Sequence, residues 1–375
     1  MKADFVVIGA GIAGCSAAYE LSKLGATLLL EQHDVPGYHA TGRSAAMFIR
    51  DYGEPELVAL TLLSAPFFET PPEGFTEHAL WKQRGRLLLG GLGRDEALDA
   101  AYRASRQVAP ESIRLSPKDV QELVPVVRAD ATVGGVLDPL SFDLDVNEIQ
   151  SGFLRGFRNS GGKLLTQCAV TGLSRVQGLW RVATSVSEFS APIVINAAGA
   201  WVEKIGRMAG TSAKGFTPLR RSACLVDPPE ATDIGAWPLV LDVDEQFYFK
   251  PDAGKILISP AEEEPSEPCD AQADDFDIAC GVDRVEQVTT LSVRRMSHRW
   301  AGLRTFAPDR KPVAGFDTDL PDFFWLAGQG GGGIQTSPAL GRAAAALIST
   351  HKLPPEFAAS GLTPASLSPN RLQKV

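Results

Sequence analysis

A short run of apolar residues near the start of the chain leads into closely spaced glycines. Residues 5–8 (FVVI) are all apolar, which is typical of a parallel strand buried on both faces. Apolar and small residues recur at helical spacing over residues 12–24 and end at Gly25, which we expect to cap a helix at its C-terminus. Residues 26–31 (ATLLLE) are apolar up to a terminal acid. The pattern therefore predicts a strand, a helix and a second strand.

The loop between the first strand and the helix has the spacing G-x-G-x-x-G. In such a loop Gly9 makes the tight turn and Gly11 lets the backbone approach a pyrophosphate, while Gly14 lets the helix pack on the strand. Glu31 follows at the distance where a carboxylate binds ribose hydroxyls. Because all these parts occur in order and in register, we predict a dinucleotide site with its pyrophosphate at the helix N-terminus.

Three further segments have clear signals of secondary structure. Residues 115–123 (LSPKDVQEL) predict a helix capped by its serine, and residues 145–149 (DVNEI) predict a helix capped by its first aspartate. Residues 246–260 predict two strands joined by a turn at Pro-Asp-Ala-Gly. The acid-rich residues 261–276 are expected to form an exposed loop.

Composition is that of a globular protein with about two domains. The chain has 375 residues, of which 44% are hydrophobic and 22% charged. Its formal net charge of −9 gives nucleic acid no electrostatic support. The cysteines and histidines are scattered without metal-ligand spacing, so we expect no metal site and a reducing, cytoplasmic location. No apolar run reaches the roughly 18 residues that a bilayer requires, and no secretory signal is recognisable.

Three segments far from the first glycine loop carry further nucleotide signals. Residues 41–47 (TGRSAAM) follow soon after Glu31, and residues 191–201 (APIVINAAGAW) form an apolar strand that ends in small residues. Residues 323–348 give a strand, a second glycine loop and a helix. An extended FAD molecule returns to several segments of a domain, whereas a simple NAD site would not need the late glycine loop. The sequence therefore favours FAD.

At this point the chain resembles the D-amino-acid oxidase and glycine/sarcosine oxidase superfamily. Within it, the motifs are most similar to those of bacterial D-arginine dehydrogenases, and iminodiacetate-oxidising flavoenzymes are related. The motifs that carry the resemblance, in family order, are VIGAGIAG, GYHATGRSAA, DYGEP, NAAGAW, RRSA, FYFKPDAG, WAGLRTF and GQGGGGIQTS. The resemblance implies an α/β fold in which a Rossmann-type FAD-binding domain is interleaved with an α+β substrate-binding domain. The FAD-binding domain would take residues 1–49, 145–219 and 300–375, and the substrate-binding domain residues 50–144 and 220–299.

The resemblance also implies how the FAD is held. We expect no covalent bond, because no cysteine lies between Cys280 and the C-terminus, where related sarcosine oxidases tether their flavin. The helix after the late glycine loop, expected to begin near residues 335–337, would direct its positive end at the flavin. The residues implied in FAD binding are Gly9, Gly11, Ile12, Ala13, Gly14, Glu31, Gln32, Arg43, Ser44, Ala45, Val170, Ala198, Gly199, Trp201, Gly330, Gly331, Gly332, Gly333, Ile334 and Gln335.

Flavin amine oxidation moves the α-hydrogen of the substrate, as hydride, to flavin N5. The protein must then fix the carboxylate, position the Cα–H bond and stabilise the reduced flavin. The resemblance assigns Arg304 and Arg221 to the substrate carboxylate, since a guanidinium binds a carboxylate bidentately. It assigns Tyr52 and Tyr248 to hydroxyl hydrogen bonds that close the pocket, and Gly331 to a carbonyl that accepts the amine N–H.

The pocket for the rest of the substrate departs from the D-arginine dehydrogenase pattern. Arg86 stands where those enzymes have an acid for the distal guanidinium, and Arg50 is an added cation. Met47 and Ile49 replace a histidine and a threonine. This reversed charge favours a substrate with a second carboxylate, such as iminodiacetate, D-glutamate or D-aspartate. In the alternative, both arginines are surface residues and the substrate is a neutral D-amino acid.

The electron acceptor and the bond that is oxidised also have alternatives. Leu257 stands where sarcosine oxidases have an oxygen-activating lysine, which favours a quinone or another carrier over O2 as the acceptor. FAD-dependent 2-hydroxyacid dehydrogenases share the implied fold, but they need a base for the hydroxyl proton. No histidine lies in a pocket motif, and an amine can arrive already deprotonated, so we prefer amine oxidation.

Overall fold

A computed structural model of the chain describes residues 2–372. The strands in this range are β1 (Phe5–Ile8), β2 (Thr27–Leu30), β3 (Met47–Phe48), β4 (Trp81–Gln83), β5 (Arg86–Gly91), β6 (Ile113–Leu115), β7 (Thr132–Asp138), β8 (Phe142–Leu144), β9 (Lys163–Leu165), β10 (Val170–Val176), β11 (Leu179–Thr184), β12 (Glu188–Ala191), β13 (Ile193–Asn196), β14 (Thr217–Val226), β15 (Leu239–Asp242), β16 (Tyr248–Asp252), β17 (Lys255–Ser259), β18 (Glu264–Pro265), β19 (Met296–Phe306), β20 (Val313–Phe316) and β21 (Phe323–Ala327). The α-helices are α1 (Ile12–Leu21), α2 (Pro55–Glu69), α3 (Asp95–Val108), α4 (Pro117–Leu123), α5 (Val146–Asn159), α6 (Val202–Ala209), α7 (Asp275–Val288), α8 (Gly333–Thr350), α9 (Pro355–Ala359) and α10 (Pro364–Leu367).

The predicted strand–helix–strand unit lies at the centre of a six-stranded sheet. The strand order is β20-β21-β13-β1-β2-β9, and β1 pairs in parallel with both β13 and β2. Val6, Val7 and Ile8 are buried, as expected for a strand covered on both faces. α1 packs against α8 on this sheet. Because parallel strands end at the same edge, the loops that follow β1, β2 and β13 meet there.

The first helix is shorter than the sequence predicts. It ends at Leu21, with Ser22 at the C-cap, so Gly25 does not cap it. The reason for the glycine is steric, since a Cβ at residue 25 would lie 2.8 Å from an oxygen of the Asp4 carboxylate. Gly25 therefore allows a close approach between two segments and is not needed to end the helix.

A second, nine-stranded sheet contains a long antiparallel pair formed by β14 and β19. The order is β18-β14-β17-β16-β15-β5-β7-β6, with β19 beside β14. In the register of the long pair, Arg221 and Arg304 occupy neighbouring diagonal positions and project from the same face. Arg220 projects from the other face, where it forms an ion pair with Asp277 of α7 at 2.7 Å. The alternation of the strand thus decides which of the adjacent arginines faces the site.

Most other predicted elements are present. α4 begins after Ser116, whose side chain accepts a hydrogen bond from the Asp119 N–H, and α5 begins after Asp145, which accepts one from the Glu148 N–H. The predicted hairpin is formed by β16 and β17. The helix after the late glycine loop, α8, begins at Gly333, slightly earlier than predicted.

The acid-rich segment 261–276 is mostly the exposed loop that the sequence predicts, but parts of it are tied to the body of the protein. Ala261 and Ala271 are buried, Glu264–Pro265 pairs with β14 as a short strand, and Asp275 already starts α7. Two of its carboxylates, Asp270 and Glu263, form ion pairs with Arg43 and Arg221 of the site and hold the segment against the body of the protein.

Two predictions concern the chain as a whole. No helix among residues 2–372 has the length and apolar character that a membrane crossing requires. The predicted domain limits remain a prediction, and β14 runs across the one placed between residues 219 and 220.

Candidate active site

A cavity of about 220 Å³ opens at the carboxyl ends of β1, β2 and β13 and extends to the start of α8. Several glycines line this cavity, so no side chain projects into it at those positions. Gly9 has a φ of +100°, and a Cβ there would lie 2.6 Å from the Ala197 carbonyl oxygen, so a larger residue would clash. At Gly11 the nearest atom to a built Cβ is Thr41 Oγ1, 3.4 Å away, which leaves the cavity side open. The backbone can therefore approach a ligand closely at this loop.

Side chains from other parts of the chain accept hydrogen bonds from N–H groups of the first glycine loop. The Glu31 carboxylate accepts hydrogen bonds from the N–H groups of Ala10 (2.9 Å) and His33 (3.0 Å). Thr41 Oγ1 accepts one from the Ile12 N–H at 3.0 Å. Glu31 thus lies at the end of β2 where the sequence places it. Thr41 is a contact that the sequence analysis missed, although it stands in the TGRS motif.

The structure brings together most residues implied in FAD binding. Those that line the larger cavity are Gly9, Gly11, Ile12, Ala13, Glu31, Gln32, Arg43, Ser44, Ala45, Val170, Ala198, Gly199, Trp201, Gly330, Gly331, Gly333 and Ile334. Gly14, Gly332 and Gln335 are not on this wall, and Gln335 lines the smaller cavity instead. A side chain at Gly14 would collide with the Gly9 carbonyl oxygen, and one at Gly332 would come within 2.8 Å of Leu57. Both glycines serve packing around the cavity.

Several buried polar atoms near α8 lack a hydrogen-bond partner among residues 2–372. They include Thr305 Oγ1, Gln329 Nε2 and Gln335 Nε2. Buried polar groups are costly unless they are hydrogen-bonded, so this concentration indicates a place for a ligand with a polar edge. The first turn of α8, with Gly333 and Ile334 on the cavity wall, adds backbone N–H donors and the positive end of the helix dipole. The carbonyl oxygens and ring nitrogens of a flavin are acceptors for such donors, so these residues fit FAD.

A smaller cavity of about 80 Å³ adjoins the larger one. The residues that line both cavities are Ser44, Ala45, Arg221, Tyr248, Arg304 and Gly331. The remaining lining of the smaller cavity is mostly apolar and comprises Ala46, Met47, Ile49, Tyr52, Leu239, Leu241, Glu245, Ala261 and Gln335. All five residues that the resemblance assigns to catalysis therefore lie at or beside the junction of the two cavities.

Arg304 is the cation at this junction without a partner in the protein. Its guanidinium makes no hydrogen bond or ion pair with another residue of the described chain. Burial lowers its pKa, but the neighbouring Tyr52 and Tyr248 and the carboxylates of Glu263 and Glu262 outweigh burial, so the net shift is upward. Arg304 is therefore a fixed positive charge that can receive an anion from the cavity.

Gly331 shares the same corner. A Cβ at this position would lie 3.0 Å from Arg304 Nη1 and would collide with the Tyr52 hydroxyl. The late glycine loop thus brings its backbone against the arginine and the tyrosine, and only glycine leaves room for all three groups.

Arg221 faces the same cavities, but its guanidinium is already held. Its Nε donates to the Glu262 carbonyl oxygen at 2.7 Å, and its Nη2 forms an ion pair with Glu263 at 3.3 Å. Burial lowers the pKa of Arg221, and the positive charge of Arg304 lowers it further. The two arginines are therefore not equivalent.

Arg86 and Arg50 do not form the distal end of the smaller cavity, contrary to the prediction from sequence. Arg86 is 4% exposed and makes a bidentate ion pair with Asp51 at 2.6 and 2.8 Å. Arg50 forms an ion pair with Asp138 at 2.7 Å and a second with Glu111 at 3.1 Å. Neither is the surface arginine of the alternative either, because both are largely buried. Their charges are neutralised by carboxylates of the protein.

Trp300 was not predicted as a site residue, although it begins the WAGLRTF motif. Trp300 lines the larger cavity and donates its indole N–H to the Arg43 carbonyl oxygen at 3.0 Å. Arg43 is held by the Ala271 carbonyl oxygen and by the Asp270 carboxylate, both on the acid-rich segment. These contacts join residues that are more than two hundred positions apart, so no local pattern could show them.

The chain belongs to a family of FAD-dependent oxidoreductases, and FAD is the cofactor of that family. The family described as "FAD dependent oxidoreductase" matches residues 4–347. Among curated proteins, mitochondrial sarcosine dehydrogenase from Mus musculus is 27% identical over 365 residues. The match covers 91% of this chain but 39% of the mouse protein, so the chain spans about two fifths of that relative.

Solved structures show the same fold. Glycine oxidase from Geobacillus kaustophilus superposes with a TM-score of 0.82 at 20% identity, covering 92% of this chain and 94% of the oxidase. Iminodiacetate oxidase from Chelativorans sp. BNC1 gives a TM-score of 0.78 at 21% identity, covering 92% and 95%. At these identities the likeness establishes the FAD-binding α/β architecture and leaves the substrate to the site itself.

Proposed function

We propose that the protein oxidises the C–N bond of a small amino acid or N-alkyl amino acid that carries one carboxylate. The observation that carries this proposal is the unpartnered Arg304 guanidinium at the junction of the two cavities. A buried cation without a counter-ion is costly, and a substrate carboxylate would supply one in bidentate geometry. Tyr52 and Tyr248 stand beside it as hydroxyl donors.

The protein's contribution to the reaction is to bind and orient. Arg304 would fix the carboxylate, and the Gly331 carbonyl oxygen would accept a hydrogen bond from the amine. The lone pair of a neutral amine then remains available, and the Cα–H bond is held at the boundary between the cavities. FAD, when bound, supplies the acceptor for the hydride that leaves Cα. The apolar wall formed by Met47 and Ile49 limits the access of water to this corner.

The lining of the smaller cavity favours a substrate with a neutral substituent over a substrate with a second carboxylate. Arg50 and Arg86, the residues from which a dicarboxylate preference was predicted, are paired internally and do not line it. Among the described residues of its wall, the one acid is Glu245, which would repel a second carboxylate. The neutral alternative is therefore preferred over iminodiacetate, D-glutamate and D-aspartate.

Amine oxidation is also preferred over oxidation of a 2-hydroxy acid. A hydroxyl substrate needs a base within hydrogen-bond reach, and the described wall of the smaller cavity contains no histidine. His39 borders the larger cavity, and its Nε2 lies 2.7 Å from Nε2 of His33. Burial and the neighbouring His33 lower the pKa of His39 to about 4. Since an amine can bind already deprotonated, the site needs no such base.

The test is anaerobic reduction of the purified flavoprotein. Sarcosine, N,N-dimethylglycine, D-alanine, D-arginine, D-glutamate and iminodiacetate are each mixed with the protein while the visible absorbance of the flavin is followed. We expect bleaching by one or more of the first three, and little by the dicarboxylates. Bleaching by the dicarboxylates alone would overturn the proposal.

Admission of air after the reduction tests the electron acceptor, because an oxidase is reoxidised by O2 and a dehydrogenase is not. Since Leu257 stands in place of a lysine, we propose that a carrier other than O2 accepts the electrons.

A further inference from the structure

Two arginines, Arg221 and Arg304, lie at the junction of the two cavities, but only Arg304 has no ion-pair partner among the described residues. Arg221 and Arg304 project from the same face of the β14–β19 pair and line both cavities. Arg304 has no partner among the described residues, whereas Arg221 contacts Glu263 at 3.3 Å. A second anion entering the site would have to compete with Glu263 for Arg221.

The position of Glu263 is fixed by the strands around it. The next two residues, Glu264–Pro265, form β18 and pair with β14. On the other side, Glu262 accepts a hydrogen bond from the Ser222 N–H at 2.5 Å through its carboxylate and one from Arg221 through its carbonyl oxygen. Glu263 is thus held within reach of Arg221 by the backbone on both sides, and not by a flexible side chain alone.

A third arginine orients the same carboxylate. Arg310 Nη2 lies 2.9 Å from Glu263 Oε1, the oxygen that also faces Arg221. The Arg310 guanidinium stacks on the Phe306 ring, 3.9 Å from its centroid, and Phe306 in turn packs against Gly330 of the late glycine loop. The counter-ion of Arg221 is therefore part of a chain of contacts that reaches the late glycine loop.

We propose that Glu263 is a specificity-determining residue that limits the site to substrates with one carboxylate. Glu263 occupies Arg221 permanently, so only Arg304 is free for the substrate. This inference rests on the proposed function, because it assumes that Arg304 receives a carboxylate. It predicts that removal of the Glu263 charge frees Arg221 and creates a place for a second carboxylate in a pocket that otherwise rejects it.

The experiment measures binding of two unreactive anions to the FAD-loaded protein in a buffer without chloride. Acetate carries one carboxylate and malonate two, and each is titrated while the perturbation of the flavin spectrum is recorded. In Glu263→Gln we expect the dissociation constant of malonate to fall about tenfold or more, while that of acetate changes by about twofold or less. Glu264→Gln, which removes an exposed neighbouring acid, should leave both constants unchanged.

Two further variants separate the possible outcomes. Acetate should bind the wild-type protein and lose affinity in Arg304→Met; failure of this result would contradict the proposed function and not the role of Glu263. Glu263→Asp, which keeps the charge, should retain the wild-type ratio of malonate to acetate affinity. If acetate depends on Arg304 but the ratio stays unchanged in Glu263→Gln and in a smaller variant, Glu263→Ser, the inference is wrong.

Discussion

Two pairs of arginines lie close to the same small cavity and have different roles. Arg50 and Arg86 form ion pairs with carboxylates of the chain, whereas Arg304 points into the cavity without a partner and Arg221 shares its guanidinium with Glu263. Arg86 is buried and the other three are half-buried, so exposure does not distinguish the arginine that has no partner. What distinguishes them is whether a carboxylate of the protein already pairs with the guanidinium. An arginine is available to bind an anionic ligand only when it has no such partner.

The largest effect on activity is expected at Arg304, whose charge has no partner among the described residues. In Arg304→Met the substrate carboxylate loses its fixed partner in a water-poor site, so kcat/KM for any bleaching amine should fall on the order of 10³-fold. Stopped-flow measurement of flavin reduction gives this value. A loss of tenfold or less at unchanged flavin content would show that Arg304 does not receive the carboxylate.

A loss of folding stability is expected where the charge is paired. Arg86→Met leaves Asp51 buried without its counter-ion, which should lower the free energy of unfolding by about 3–5 kcal/mol. The double variant with Asp51→Asn should recover part of this loss, because no charge is then left unpaired. Urea denaturation followed by fluorescence measures both. If Arg86→Met instead kept its stability and changed the preference between sarcosine and iminodiacetate, Arg86 would belong to the substrate site after all.

The pH dependence of the free energy of unfolding is a second test of the Arg86–Asp51 ion pair, with a smaller expected effect. Burial raises the pKa of Asp51, but the charge and hydrogen bonds of Arg86 lower it more, so the folded pKa lies below the unfolded one. The unfolded chain therefore binds the proton first as the pH falls. The contribution of the pair is complete above the unfolded pKa and is lost as the pH falls through the folded pKa. The stability difference between wild type and Asp51→Asn should shrink over that acid range, and a difference that grew on acidification would contradict this assignment.

The smallest effect is expected for an ion pair in full contact with water. Lys118 and Glu122 lie one helical turn apart at 3.7 Å, with side chains 84% and 66% exposed. Solvent screens such pairs, so Lys118→Met should change the free energy of unfolding by about 0.5 kcal/mol or less and leave flavin reduction unchanged. This variant is the matched control for the two buried arginines.

The sequence predicted those parts of the molecule that depend on neighbours along the chain. The glycine loop, Glu31, the caps at Ser116 and Asp145 and the β16–β17 hairpin each combine signals within a few residues, and each lies where it was expected. The alternation of a strand also explained why Arg221 and not Arg220 faces the site. Local backbone geometry was sufficient for these elements.

The partners of charged residues could not be predicted in the same way. Asp51 stands beside Arg50 in the chain, yet it pairs with Arg86 on another strand, while Arg50 pairs with Asp138. The acid-rich segment is largely exposed, as its polar composition indicates, but two of its carboxylates, Glu263 and Asp270, form ion pairs with the distant residues Arg221 and Arg43. The presence of arginines in the sequence was therefore not sufficient to predict the substrate. The net charge of a pocket depends on ion pairs that only the folded chain defines.

The long β14–β19 pair has a consequence for how such a protein can change over evolutionary time. Both cavity arginines are carried by one hydrogen-bonded ladder, so the backbone sets the distance between them. The apolar wall comes from other elements, Met47–Phe48 and Leu239–Asp242 among them. Descendants of such a chain can therefore replace wall residues while the spacing of the two arginines is kept, which makes the ladder the part of the site that is hardest to change and the wall the part that is easiest to change.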